Sequence, residues 1–214
     1  MFIDGKFALG LFDDVVLTLG LRIGQQITPE RLEEIAQAET LRKAIEDAYN
    51  LLSFRSRAEK ELSCRLKRKG YEESVIAQVL QKLRATGYLN DEAFTRSWVQ
   101  SRGKTLGRRA LEHELRQKGV DSETVAQTLA EEKSDEAEEN AARLVAFRKV
   151  GERPTDKSRE ARAKLASFLQ RRGFGWSTIR PILTELYDSR DGNDSDIDSD
   201  SNDGVADSEN SDNE

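Results

Sequence analysis

Three glycines, Gly70, Gly119 and Gly173, constrain this chain more than any other feature. Aligning on them superposes Leu66-Lys67-Arg68-Lys69-Gly70-Tyr71, Leu115-Arg116-Gln117-Lys118-Gly119-Val120 and Leu169-Gln170-Arg171-Arg172-Gly173-Phe174. Eight residues before each glycine stands a leucine (Leu62, Leu111, Leu165), and ten residues after it another (Leu80, Leu129, Leu183). Tyr49, Trp98 and Phe147 repeat an aromatic at a spacing of 49. The third glycine arrives five residues late, and the delay falls in the loop-like Gly151-Glu152-Arg153-Pro154-Thr155. Self-similarity of this kind marks a supersecondary unit used several times. From about Glu39 to Tyr187 apolar residues recur at three- and four-residue spacing, interrupted only by Pro154 and Pro181, which predicts helices throughout. The glycines sit where a helix stops. The predicted fold is all-α: three tandem three-helix modules over 39–89, 90–133 and 134–187. The helices are expected near 39–53, 57–69, 72–86, 91–102, 107–118, 122–132, 135–149, 158–172 and 176–187.

Residues 1–38 read as an N-terminal extension, a short hairpin plus a helix. Phe2-Ile3-Asp4-Gly5-Lys6-Phe7 sets Asp-Gly between short apolar flanks, the chemistry of a tight β-hairpin. Residues 13–27 fit either a short helix or a further strand. At Thr28-Pro29-Glu30 a helix starts with a hydroxyl cap, a proline at its first position and an acid at its positive dipole end.

The formal charge of -6 over 214 residues is the sum of two opposed parts. Residues 188–214 hold nine Asp, two Glu and only Arg190, for -10, so the preceding 187 residues carry +4. The tail has too little apolar surface to offset the entropy of ordering and is expected to be disordered. Its Asp194-Ser195-Asp196-Ile197-Asp198-Ser199-Asp200 resembles a calcium loop only in its alternating carboxylates, since no register supplies both the sixth-position glycine and the twelfth-position acid. No apolar run approaches the roughly 20 residues of a membrane span. The expectation is a soluble, cytoplasmic protein.

Catalytic chemistry is poorly supported. With one cysteine, Cys64, and one histidine, His113, no zinc-ligand cluster can be assembled. Gly103-Lys104-Thr105 matches the end of a phosphate-binding loop, but the required first glycine falls at Trp98 and no strand precedes it. Its simpler reading is a helix end followed by a phosphate-contacting lysine. His113 is expected on an exposed helix face. Carboxylate pairs such as Glu33-Glu34 fit charged helix surfaces. The expectation is no enzyme, no cofactor and no metal.

The basic residues follow the repeat. Residues 55–118 carry 16 Lys/Arg against 8 Asp/Glu and residues 157–187 carry 7 against 2, whereas residues 119–156 carry 5 against 10. The candidate DNA- or filament-contacting residues are Arg55, Arg57, Lys67, Arg68 and Lys69 of the first module, Arg102, Lys104, Arg108, Arg109, Arg116 and Lys118 of the second, and Arg171 and Arg172 of the third. Arg68-Lys69, Lys118 and Arg171-Arg172 recur at one repeat position, cluster at helix C-termini and are expected to lack nearby acids to neutralise them. Part of that clustering serves the helix dipole, but a stripe repeated by module is also the footprint of a polyanion site. Phe94 and Trp98, four apart, are assigned to the core rather than to base stacking.

Several motifs together resemble the RecX family of bacterial recombination regulators. They are Arg55-Ser56-Arg57-Ala58-Glu59-Lys60-Glu61-Leu62, Lys69-Gly70-Tyr71, Gly87-Tyr88-Leu89-Asn90-Asp91-Glu92-Ala93-Phe94, Trp98-Val99-Gln100-Ser101-Arg102, Gly107, Leu111, Glu114-Leu115, Lys118-Gly119-Val120 and Leu169 to Phe174. The similarity covers about residues 39–187. Ser56 stands where the family usually has proline and Asn90 where it usually has aspartate, both suited to a helix start. The resemblance implies a non-catalytic modulator that binds the RecA recombinase and its filament on single-stranded DNA and restrains its ATPase, strand-exchange and coprotease activities. The expected partners are that filament and the phosphates of single-stranded DNA, met by the basic stripe of a monomer, with no membrane. A stand-alone helix-turn-helix DNA binder and an armadillo-like protein scaffold are the alternatives. The acidic tail lies outside the resemblance, and its charge suggests either an internal competitor for the basic stripe or simple solubilisation.

Overall fold

The computed structural model describes residues 1–188. The expected disordered tail and its calcium-like segment lie outside the described residues. The element order is β1 (Phe2–Ile3), β2 (Lys6–Phe7), α1 (Asp13–Thr18), α2 (Pro29–Phe54), α3 (Glu59–Arg68), α4 (Glu73–Ala85), α5 (Asp91–Arg102), α6 (Arg108–Lys118), α7 (Ser122–Glu132), α8 (Asp135–Val150), α9 (Arg159–Arg171) and α10 (Trp176–Tyr187). The all-α expectation holds, with one antiparallel two-residue hairpin pairing Phe2 with Phe7 and Ile3 with Lys6. Asp4 and Gly5 both take positive φ in its turn, 48° and 76°, the conformation that Asp-Gly adopts with least strain. Within 13–27, the choice between helix and strand resolves as the short helix α1.

One expected helix start is corrected. Instead of a break near residue 38 there is a single helix of 26 residues, α2, which opens on Thr28 accepting from the Arg31 N–H. The segment Ile35-Ala36-Gln37-Ala38-Glu39 contains no glycine, proline or capping residue able to stop it. The extension and the first helical unit therefore share one rod.

Three separate apolar cores follow, one per repeat. Leu62, Leu66, Val79 and Leu83 are fully buried in the first, Leu111, Leu115 and Val125 in the second, and Leu169 and Ile179 in the third. The repeated leucines are all core residues, and the repeated aromatics Tyr49, Trp98 and Phe147 are each partly buried against their own module's core. Each marker glycine has φ between +85° and +92°. Around each, the same two backbone bonds close the helix: Gly70 to Lys67 and Tyr71 to Leu66, Gly119 to Arg116 and Val120 to Leu115, Gly173 to Gln170 and Phe174 to Leu169. This is the Schellman pattern, in which a left-handed residue satisfies the orphan carbonyls of a helix end.

Candidate functional site

The modules meet where the start of one module's second helix lands on the glycine turn of the next module. At the first seam, Ala58 leaves its own module and is buried in the core around α5, α6 and α7. A Cβ on Gly119 would collide with the Lys60 side chain. At the second seam, Gly107 N–H donates to Arg172 O at 2.9 Å and Arg109 N–H to Gly173 O at 3.3 Å. Side chains at Gly107 or Gly173 would strike the opposing backbone.

A carboxylate from the following first helix secures each docked end. Asp91 of α5 accepts the Glu59 N–H at 2.8 Å, and Glu138 of α8 accepts the Arg108 N–H at 3.1 Å. Both acids occupy the positive end of a helix dipole and satisfy an orphan donor. Burial pushes the Asp91 carboxyl up, against the lowering effect of the Glu59 N–H. Glu39 of α2 repeats the device, accepting the N–H of Phe12 just ahead of α1 at 2.9 Å. The N-terminal extension thus docks on the first module much as modules dock on one another.

The second seam has an additional latch. Lys133, only 2% exposed, donates to the carbonyls of Gly103 and Leu106, each at 2.7 Å. Glu138 Oε2 faces its ammonium at 3.1 Å in an ion contact without hydrogen-bond geometry. Arg108 donates to Lys133 O and pairs with Asp135 at 3.0 Å.

Between α3 and α6, the first seam leaves an open groove of about 530 Å³. Lys60, Arg65, Arg68 and Lys118 line it with Glu61, Glu114, Gln117, Trp98 and the exposed Cys64. Glu61 pairs with Arg55 and Arg57, and Glu114 with Arg102. Burial works to raise both carboxyls, but the hydrogen bonds of Arg55 and Arg57 to Glu61, and of Arg102 and Trp98 to Glu114, bring each below its usual range. Both acids are therefore ionised and already engaged, and four cations against two carboxylates leave the groove positive.

The expectation that the repeated cations lack acids is only half met. Lys69 pairs with Asp47 at 2.7 Å, and Lys118 stands 3.9 Å from Glu61. Among the other candidates, Arg55 and Arg57 hold Glu61, Lys67 holds Glu73, Arg102 holds Glu114, Arg108 holds Asp135 and Arg116 holds Glu112. Arg57–Glu61 and Arg116–Glu112 are four residues apart in sequence, whereas Lys69–Asp47 and Arg102–Glu114 join different helices, so only part of the pairing depends on the fold. Arg68, Lys104, Arg109, Arg171 and Arg172 have no ion-pair partner among the described residues, although Arg172 lies 5.3 Å over the Phe168 ring. The seams gather these arginines: Arg68 lines the first groove, while Arg109 and Arg172 lie on segments bonded backbone to backbone at the second.

Sequence reasoning missed Arg65, which lies in the groove beside Arg68, and Trp176, 53% exposed as the first residue of α10. The clustering of cations between repeats is visible only when the seams are built. Phe94 is core as expected, whereas Trp98 is half-buried at the groove, stacked on Phe94 on one side with Lys118 4.3 Å from its centroid. Phe174 is buried, and Tyr88 is exposed, edge-on to Tyr49. Gly103 ends α5 and Lys104 is exposed. His113 is exposed and contacts Gln117. Asn90 caps α5, but Ser56 lies in the coil two residues ahead of the Ala58 cap of α3. Among the described residues no helix is long and apolar enough to cross a membrane, and no cluster of three or more His, Cys, Asp or Glu could hold a metal.

Residues 44–83, 90–129 and 136–183 match the first, second and third three-helix domains of RecX. The chain belongs to the RecX family. It is 31% identical over 195 residues to the regulatory protein RecX of Bacillus velezensis, covering 89% of this chain and 73% of that one. To the Amycolatopsis mediterranei regulatory protein RecX it is 39% identical over 154 residues, or 71% of this chain and 87% of the relative. A crystal structure of a regulatory protein RecX superposes with a TM-score of 0.71 at 26% identity, covering 85% of this chain and 92% of that one. The RecX of Lactobacillus salivarius shares the fold, with a TM-score of 0.62 at 24% identity. The three matched domains lie over the three apolar cores, so the repeat first read from glycines is the family's own architecture.

Proposed function

We propose that this RecX-family chain binds the RecA recombinase and its filament on single-stranded DNA, restraining ATPase, strand-exchange and coprotease activity without catalysis of its own. The carrying observation is the first seam, where Arg65 and Arg68 face an open groove whose two carboxylates are engaged by other arginines. Such a groove suits a phosphate chain or an acidic protein ridge, because an incoming anion has no acid partner of Arg65 or Arg68 to displace among the described residues. At the second seam Arg109, and Arg171 next to the bonded Arg172, are likewise without an ion-pair partner among the described residues, so contacts recur along the array as they would along a repeating nucleoprotein. Trp176, exposed at the start of α10 three residues after Gly173, offers a ring face for an unstacked base. The chain acts as a cytoplasmic monomer.

Titrating the full chain into RecA turning over ATP on single-stranded DNA tests this reading. Suppression at or below stoichiometry with the recombinase is expected, and an unchanged rate contradicts it. The second reading, a helix-turn-helix DNA binder acting alone, predicts a preferred sequence. Phosphate contact predicts equal affinity for unrelated oligonucleotides and a steep loss with salt.

A further inference from the structure

The 26 residues after Asp188 carry eight Asp and two Glu against Arg190, a charge of -9. At up to roughly 3.5 Å per residue this segment has a contour length on the order of 90 Å. Asp194, Asp196, Asp198 and Asp200 alternate with uncharged residues, a polyanionic run opposite in sign to the groove. At its root, both Asp188 carboxylate oxygens accept from the single Arg162 Nη1, at 2.8 and 3.0 Å.

We infer that residues 189–214 act as an internal competitor, occupying the Arg65–Arg68 groove of the first seam until a stronger polyanion displaces them. This rests on the reading of that groove as an anion contact, and it names the groove's regulator. Tethering holds the tail at an effective concentration on the order of millimolar, while each exposed pairing is weak and screened by salt. The result is a threshold: isolated or short anions lose to the tail, and a long nucleic acid lattice or filament wins.

Cys64, the chain's single cysteine, lies exposed in the groove and reports its occupancy directly. The experiment measures the rate of Cys64 alkylation by iodoacetamide at low salt in the full chain and in a full-length variant whose tail carries Asp→Asn and Glu→Gln throughout 189–214. An oligodeoxythymidine is then added to each. The neutralised tail is expected to raise the rate about threefold or more, with the difference vanishing at high salt and in an Arg65→Ala, Arg68→Ala background. The oligonucleotide should slow alkylation in the neutralised variant. Equal rates for the two tails overturn the inference. A difference that persists unchanged in the Arg65→Ala, Arg68→Ala background also overturns it, because the tail would then act by general repulsion. A tail difference with no protection by the oligonucleotide leaves the tail contact standing and contradicts the nucleic-acid reading instead.

Discussion

Gly70, Gly119 and Gly173 share one backbone conformation and differ in what surrounds them. A Cβ at Gly70 meets nothing, at Gly119 it meets the Lys60 side chain, and at Gly173 it meets the backbone and Cβ of Ala110. An alanine at any of them bears the left-handed penalty of roughly 1–2 kcal/mol; only the latter two also lose a seam. Urea unfolding is expected to rank the destabilisation Gly70→Ala below Gly119→Ala below Gly173→Ala. Equal losses at all three would show that conformation alone, and not docking, governs these positions. The turn was legible in sequence because a helix stop at positive φ selects glycine locally. The second duty of Gly119 and Gly173, close approach, was not legible because it depends on residues outside their own turn. The open turn at Gly70 is steadied differently. Asp47 takes hydrogen bonds from Lys69 and Tyr71, and burial together with Asp47 raises the Tyr71 phenol to about 12.

Among elements, the start of α6, the end of α7 and the start of α8 are coupled at the second seam. Arg108, Lys133 and Glu138 form one network in which a lysine nearly without solvent contact holds two carbonyls and a buried carboxylate. Lys133→Met leaves Glu138 with an uncompensated charge, at a cost of about 3–5 kcal/mol. Adding Glu138→Gln should restore a good part of that loss, since an amide oxygen still accepts the Arg108 N–H. Equilibrium denaturation of the single and double variants checks this, and failure of the second change to recover stability would contradict the charge argument. Nothing at the sequence level distinguished Lys133 from a solvated lysine, because its partners Gly103 and Leu106 stand 30 and 27 residues away. Helix existence, by contrast, followed from spacing that each helix carries within itself. The exception is α2, where a helix start expected near Glu39 falls inside a continuous helix because Ile35 to Glu39 contain no breaker.

For the whole molecule, three small cores joined by docked helix starts make an array rather than a single packed body, and its grooves fall between modules. The basic stripe seen in sequence was too broad. Most of its members, including Arg55, Arg102 and Arg116, are held by acids, and the cations left to a partner concentrate at the seams. The most direct measurement is therefore inhibition of RecA ATPase on single-stranded DNA by two variants that each lose four positive charges. One carries Arg65→Ala, Arg68→Ala, Arg109→Ala and Arg171→Ala. The other carries Arg31→Ala, Arg96→Ala, Arg116→Ala and Arg143→Ala, all ion-paired positions. Loss of inhibition in the first with retention in the second is the predicted result, and equal inhibition by both, or a greater loss in the second, would contradict it.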